Sequence, residues 1–112
     1  MGMLGLNRSF ISFPETLDLS RVVSLSQINA LQSTMQANDA PIDLKYKLTG
    51  VIEHFGSAHG GHYVAYRPLI SSHKKPLSTD KWVLCDDAQL SFLSKVEVLN
   101  KNAYMLLYER LL

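Results

Sequence analysis

Between His54 and Tyr66 the chain places three histidines and three glycines in thirteen residues: His54-Phe55-Gly56-Ser57-Ala58-His59-Gly60-Gly61-His62-Tyr63-Val64-Ala65-Tyr66. An imidazole has an ordinary pKa near ~6.5, so it can take and return a proton at neutral pH. Held where a glycine turn passes into a strand, His62 has a fixed backbone and an open approach, which suits a general base. Beside a thiol it would form a thiolate–imidazolium pair. Glycines that flank a hairpin for conformational reasons alone give the same pattern, so His62 needs a partner. Asp86, at the end of a later strand, could accept the ring proton, fix the tautomer and stabilise the imidazolium. Consecutive aspartates also serve simply to end strands in turns. Asp87 stays open as a second acid.

Cys85 is the chain's one cysteine. Strand alternation sets Trp82, Leu84 and Asp86 on one face and Val83 and Cys85 on the other. If Asp86 points towards His62, Cys85 points away, and it reads as a small apolar core residue rather than a nucleophile. His54, His59 and His62 also invite a zinc reading, because the His-x-x-His spacing of His59 and His62 can hold that metal, with a third ligand needed from His54, Asp86 or Glu53. Glycines between His59 and His62 argue against the helix that would bring both rings to one face, so no metal ligands are assigned.

The elements that must position these residues follow from periodicity. Ser9 to Phe13 alternates and stops at Pro14, predicting a short strand, and Leu17-Asp18-Leu19 is a second short apolar unit. Leu25, Ile28, Leu31 and Met35 predict an amphipathic helix over 26–36. Gln36 to Pro41 reads as a loop. Tyr46, Leu48 and Val51-Ile52 predict a strand from Leu44 to about Phe55, with Gly50 as a bulge or close-packing point. Gly56 to Gly61 is a turn-rich link, and His62 to Arg67 a strand paired antiparallel to the one before it. Ser71 to Asp80 reads as an exposed loop, Lys81 to Asp86 as a strand. Ser94 and Glu97 have capping-box spacing for a short helix. Ala103 to Glu109 closes as a strand. Tyr46, Tyr63, Tyr66, Trp82, Tyr104 and Tyr108 are assigned to sheet packing. The fold class expected is α+β: a mainly antiparallel sheet with one or two short helices.

Composition narrows the function classes. A chain of 112 residues with 46% apolar and 19% charged content is one small globular domain or part of one. A net charge of +1 gives no electrostatic case for nucleic acid or a membrane surface. Its apolar runs fall far short of the ~20 residues that span a bilayer, and no secretory signal is visible. A single cysteine excludes an internal disulfide and suits a reducing compartment.

The order of the motifs resembles the C-terminal, histidine-box half of the ubiquitin-specific proteases, papain-like cysteine deubiquitinases. The resemblance lies in Tyr46-x-Leu48-x-Gly50-Val51-Ile52-x-His54-x-Gly56, in His59-Gly60-Gly61-His62-Tyr63-Val64-Ala65-Tyr66, in Trp82 followed by Asp86-Asp87, and in Ala103-Tyr104-Met105-Leu106-Leu107-Tyr108. Upstream, Phe13-Pro14-Glu15-Thr16-Leu17-Asp18-Leu19 is similar to the family's Phe-Pro-x-x-Leu-Asp-Leu element. The resemblance implies a papain-like fold with residues 9–112 as the C-terminal part of the catalytic domain and residues 1–8 as a disordered or fragment end. It implies His62 as catalytic histidine, Asp86 as third catalytic residue and Asp87 as an assisting neighbour. His59, Gly60, Gly61 and Tyr63 match the wall of the channel for the Gly-Gly tail of ubiquitin. No cofactor is implied. The implied partners are ubiquitin and ubiquitinated proteins, with the nucleophilic cysteine and the rest of the domain supplied by N-terminal sequence outside these residues. The isolated chain is then expected to be inactive. The implied location is intracellular and cytoplasmic. Pro76-Leu77-Ser78-Thr79 and Tyr108-Glu109-Arg110-x-Leu112 resemble the mitochondrial outer-membrane member, which adds that membrane as a site for the full-length protein. Two rival readings are a catalytically inactive ubiquitin-binding or regulatory fragment and a metal-dependent hydrolase.

Overall fold

Glycine sets the hairpin that carries the histidines. Gly56 lies opposite Gly61 in the strand pairing and has φ +114°, a left-handed value that side-chain-bearing residues avoid. A Cβ on Gly56 would sit 2.7 Å from the Gly61 Cα, so the two backbones approach as only glycines allow. The strands therefore continue past the glycines: β2 spans Lys45–Ser57 and β3 spans Gly60–Pro68. The link expected over Gly56–Gly61 shrinks to the turn between Ser57 and Gly60.

A computed structural model describes residues 10–35, 44–57, 59–70 and 80–111. The other described elements are β1 (Thr16–Asp18), a single 3-10 turn (Leu19–Arg21), α1 (Leu25–Ser33), β4 (Lys81–Asp86), β5 (Gln89–Ser94), α2 (Lys95–Leu99) and β6 (Met105–Arg110). All six strands join one antiparallel sheet. β2 is its hub: residues 51–57 pair with β3, 45–47 with β1 and 46–52 with β6. Because Tyr46 and Lys47 pair with both β1 and β6, those strands lie on opposite edges of β2, with β1 and β3 sharing one edge. β3 continues to β4, and β4 to β5. The α+β reading holds.

A bulge decides which side chains of β2 face inward. Leu48 pairs with Tyr108 and Gly50 with Leu107, so Thr49 is an extra residue. One extra residue reverses the alternation. Leu48 is therefore buried before the bulge, and Val51 and Glu53 after it. Phe13, Leu48, Val51, Val64, Tyr66, Trp82 and Val98 form the core, with Leu84, Leu93, Leu99, Ala103 and Tyr108 packed against it. α2 delivers Val98 to this core behind a complete capping box: the Ser94 hydroxyl accepts from the Glu97 N–H at 3.2 Å, and the Glu97 carboxylate accepts from the Ser94 N–H at 3.1 Å.

Several expectations need correction. The strand expected at Ser9–Phe13 does not form among the described residues 10–13; Phe10 and Ile11 are exposed, and pairing begins at Thr16, where Leu17 meets Tyr46. The helix expected over 26–36 spans Leu25–Ser33 and fully buries no side chain: Ile28 is half-buried, while Leu25 and Leu31 are exposed. β5 was not anticipated; the Asp86-Asp87 turn leads directly into it. Cys85 is partly exposed and lies outside the core. The expected end at 1–8 and loop at 36–41 lie outside the described residues, as does the loop at 71–80 apart from Asp80.

Truncating Leu48, 1% exposed, to Ala is expected to cost about 2–5 kcal/mol in urea unfolding. Phe92→Ala, at a position 69% exposed, should stay within about 0.5 kcal/mol of the parent.

Candidate functional site

The register of three strands brings His62 and Asp86 together. β3 and β4 pair Ala65 with Cys85 and Tyr66 with Leu84. One step further, Asp86 lies across from Val64. His62 is two residues along β3 on the same face, a diagonal neighbour within reach of a ring. The His62 Nε2 and Asp86 Oδ1 are 2.5 Å apart, and both side chains are almost half exposed. With Nε2 held by Asp86, Nδ1 is the ring nitrogen that remains for a proton from a nucleophile.

Asp87 reaches the same ring through backbone geometry. Its φ of +51° places it in the left-handed region at the β4–β5 turn, so its side chain does not alternate away as a strand residue would. The His62, Asp86 and Asp87 ligand atoms lie within 4.8 Å of one another. The hydrogen bond to Asp86 is the largest influence on the ring, and the charges of Asp86 and Asp87 add to it. Together they hold His62 above the ordinary imidazole value against a smaller opposing effect of desolvation. Because the folded value is the higher one, stabilisation from this pair is complete below the unfolded-state value and is lost as pH rises through the folded value.

The remaining sequence-derived residues separate by position. His59 sits exposed in the β2–β3 turn, and Gly60 and Gly61 open β3 beside it. A Cβ on Gly60 would meet nothing, whereas one on Gly61 would collide with the Phe55 carbonyl oxygen and the His54 ring. Tyr63 pairs with His54 on the face opposite His62. The His54 ring lies 4.6 Å from Tyr63 and 5.6 Å from Tyr104, and Tyr63 and Tyr104 are 5.6 Å apart. Desolvation and the neighbouring Tyr104 push the Tyr63 phenol above its ordinary value. His54 Nδ1 is buried without a hydrogen-bond partner among the described residues, and the ring packs against Tyr63 and Tyr104. His54 and His62 thus face opposite sides of the sheet, and the zinc set considered from the sequence is not assembled. Among the described residues, the metal-capable donors brought together are His62, Asp86 and Asp87.

One polar group escaped the sequence reading except as a candidate ligand. Glu53 is buried; it accepts the Tyr66 hydroxyl at 2.7 Å and the Asn102 backbone N–H at 3.3 Å. Burial and Glu53 together push the Tyr66 phenol far above its ordinary value. Only the bulge at Thr49 could have signalled that Glu53 turns inward.

Fold and site together define an α+β protein whose antiparallel sheet carries an open imidazole–carboxylate pair, an arrangement able to activate a nucleophile by general-base chemistry. The family model for ubiquitin carboxyl-terminal hydrolase matches residues 6–108. The chain belongs to that family. It is 32% identical over 102 residues to ubiquitin carboxyl-terminal hydrolase 51 of Mus musculus, covering 91% of this chain and 14% of that protein. Over 68 residues it is 43% identical to ubiquitin carboxyl-terminal hydrolase 30 of Rattus norvegicus, covering 60% of this chain and 13% of that one. Among solved structures it resembles the SAGA DUB module containing Ubp8, Sgf11, Sus1 and Sgf73 bound to monoubiquitin, with TM-score 0.64 and 27% identity over 91% of this chain and 18% of that chain. The chain spans less than a quarter of the length of these relatives.

Following the His62 ring by NMR through a pH titration should give a midpoint above ~6.5, and Asp86→Asn should bring it down. An unchanged midpoint in Asp86→Asn would mean that the pair does not form. Gly61→Ala should lower Tm through its collision with His54 and the Phe55 carbonyl, while Gly60→Ala leaves Tm within about 2 °C, as expected for a surface change of a few tenths of a kcal/mol.

Proposed function

We propose that this chain carries the acid–base half of a thiol-dependent ubiquitinyl hydrolase that cleaves isopeptide bonds at the C-terminal glycine of ubiquitin. The observation that carries the reading is the His62–Asp86 hydrogen bond in a chain of this family. In the full-length protein, His62 Nδ1 takes the proton of a cysteine thiol supplied by sequence outside these residues. The thiolate attacks the glycine carbonyl, and His62 returns the proton to the departing lysine amine. Water then hydrolyses the thioester with His62 again as base. Asp86 orients the ring and stabilises its charged form, and Asp87 assists.

His59, Gly60, Gly61 and Tyr63 form one wall of the channel for the ubiquitin tail. Their place beside His62 at the mouth of the β2–β3 hairpin supports this assignment. The ubiquitin bound in the solved relative supports ubiquitin as the ligand. Cys85 is not the nucleophile: on β4 it alternates with Asp86 and faces away from His62. Residues 9–112 are on this reading the C-terminal part of a longer catalytic domain. The full-length protein acts inside the cell, in the cytoplasm or at the mitochondrial outer membrane.

In the full-length protein, His62→Ala should reduce cleavage of a ubiquitin C-terminal fluorogenic reporter by at least about 10²-fold. Asp86→Ala should lose less, and an Asp86→Ala/Asp87→Ala double variant more than either single change. Reporter turnover retained in His62→Ala would sink the assignment. The 112-residue chain alone should not react with a ubiquitin-based electrophilic probe; labelling abolished by Cys85→Ala would overturn the placing of the nucleophile elsewhere.

A further inference from the structure

Asp86 has two diagonal neighbours on β3, and both can form hydrogen bonds. It lies across from Val64, with His62 two residues to one side and Tyr66 two residues to the other, all on the core face of the sheet. Diagonal cross-strand neighbours of this length are within reach of one another. The Asp86 charge already acts on the Tyr66 phenol, after burial and Glu53. Yet the Tyr66 hydroxyl donates elsewhere, to Glu53 Oε1 at 2.7 Å, while Asp86 Oδ1 holds His62 Nε2 at 2.5 Å.

Glu53 sits in the same row as Asp86. The register pairs Glu53 with Val64, and Val64 stands across from Asp86, so the two carboxylates flank one valine on one face. Glu53 is 8% exposed and is tied on its other oxygen by the Asn102 N–H at 3.3 Å. Lys101, next in sequence to Asn102, holds its ammonium 5.7 Å from the centre of the Tyr66 ring. Tyr66 is thereby engaged by two groups, the Glu53 carboxylate at its hydroxyl and the Lys101 ammonium over its ring.

We propose that Glu53 is a positioning residue for the acid–base pair: by accepting the Tyr66 hydroxyl it keeps that hydroxyl off Asp86 and leaves Asp86 wholly to His62. A buried phenol must find an acceptor. With Glu53 removed, Asp86 is a diagonal carboxylate on that face whose charge already acts on the Tyr66 phenol. A Tyr66 hydroxyl donating to Asp86 would withdraw negative charge from the His62 ring and weaken its orientation. The inference rests on His62–Asp86 as the acid–base pair, but its test reads that pair directly and does not require turnover.

The experiment is an NMR pH titration of the His62 ring in four versions of this chain: the parent, Glu53→Leu, Tyr66→Phe, and the Glu53→Leu/Tyr66→Phe double variant. Leucine keeps most of the bulk and removes the acceptor. In Glu53→Leu the His62 midpoint should fall towards that of an unpartnered imidazole; in Tyr66→Phe it should stay at the parent value. In the double variant the competing hydroxyl is gone, and the midpoint should return to the parent value. Glu53→Gln, which keeps an acceptor, should also match the parent. A purely structural role for Glu53 predicts no such rescue. A midpoint unchanged in Glu53→Leu, or lowered equally in the double variant, would overturn the proposal. In the full-length protein the same set should show the loss and its rescue in kcat, with KM for ubiquitin substrates unchanged. If the titrations behave as expected while His62→Ala retains activity, the positioning inference stands and the catalytic reading fails.

Discussion

The register of β3 against β4 is the constraint on which the site depends, and no tight turn sets it. The twelve positions between Pro68 and Lys81 leave the pairing to side-chain burial. Trp82, 2% exposed, pairs with Pro68, and Leu84 pairs with Tyr66, so the core face of β4 is chosen by its largest apolar side chains. The Leu69 N–H donates to the Lys81 carbonyl at 2.9 Å and closes that end. A slip of one residue would turn Trp82 outward and carry Asp86 to the face opposite His62. The energetics of burying one tryptophan thus place a carboxylate four residues away.

Polar groups on this face are arranged by depth. Glu53 is buried and must be fully hydrogen-bonded, because an unsatisfied charge there would be costly. Tyr66 and the Asn102 N–H meet that need. Asp86 and His62 lie at the open end of the sheet, where water screens their attraction and little stability follows from it. Where Glu15 joins Lys47 at 3.0 Å and Lys95 at 3.1 Å, by contrast, the ion pairs tie the residue before β1 to β2 and α2, a bracing role.

Much of this was legible in the residues. The alternation Trp82, Leu84, Asp86 gave the face of the acid correctly, since a strand bounded by a buried tryptophan has one solution. Ser94 and Glu97 announced α2 through a local motif that needs no tertiary context. The inward turn of Glu53 was hidden because alternation from Leu48 carries 50, 52 and 54 inward, and the extra residue at Thr49 reverses it. β5 was hidden because Leu90 and Phe92 are apolar yet exposed, so its pattern marks no polar face. At Ser9–Phe13 the alternation was real, but Phe13 alone is buried among its described apolar residues, and nothing pairs with residues 10–13. Periodicity reports which side chains share a face; it does not report what the face meets.

That distinction bears on the apolar surface. α1 is completely capped, with Ser24 and Gln27 exchanging hydrogen bonds at 3.0 and 3.3 Å, yet Leu25 is 73% and Leu31 51% exposed. Helices this short are marginal in water and draw most of their stability from packing an apolar face. β5 likewise leaves Leu90 and Phe92 in solvent, on the strand paired with the one that carries Asp86. Exposed apolar side chains of this kind add no burial energy to hold the register of the strands that carry them. His62 and Asp86 lie towards the ends of β3 and β4, beyond the last buried residues, Val64 on one strand and Trp82 on the other. Just behind the pair, Glu53 accepts from the Tyr66 hydroxyl and the Asn102 N–H, so polar contacts as well as apolar packing back this end of the sheet.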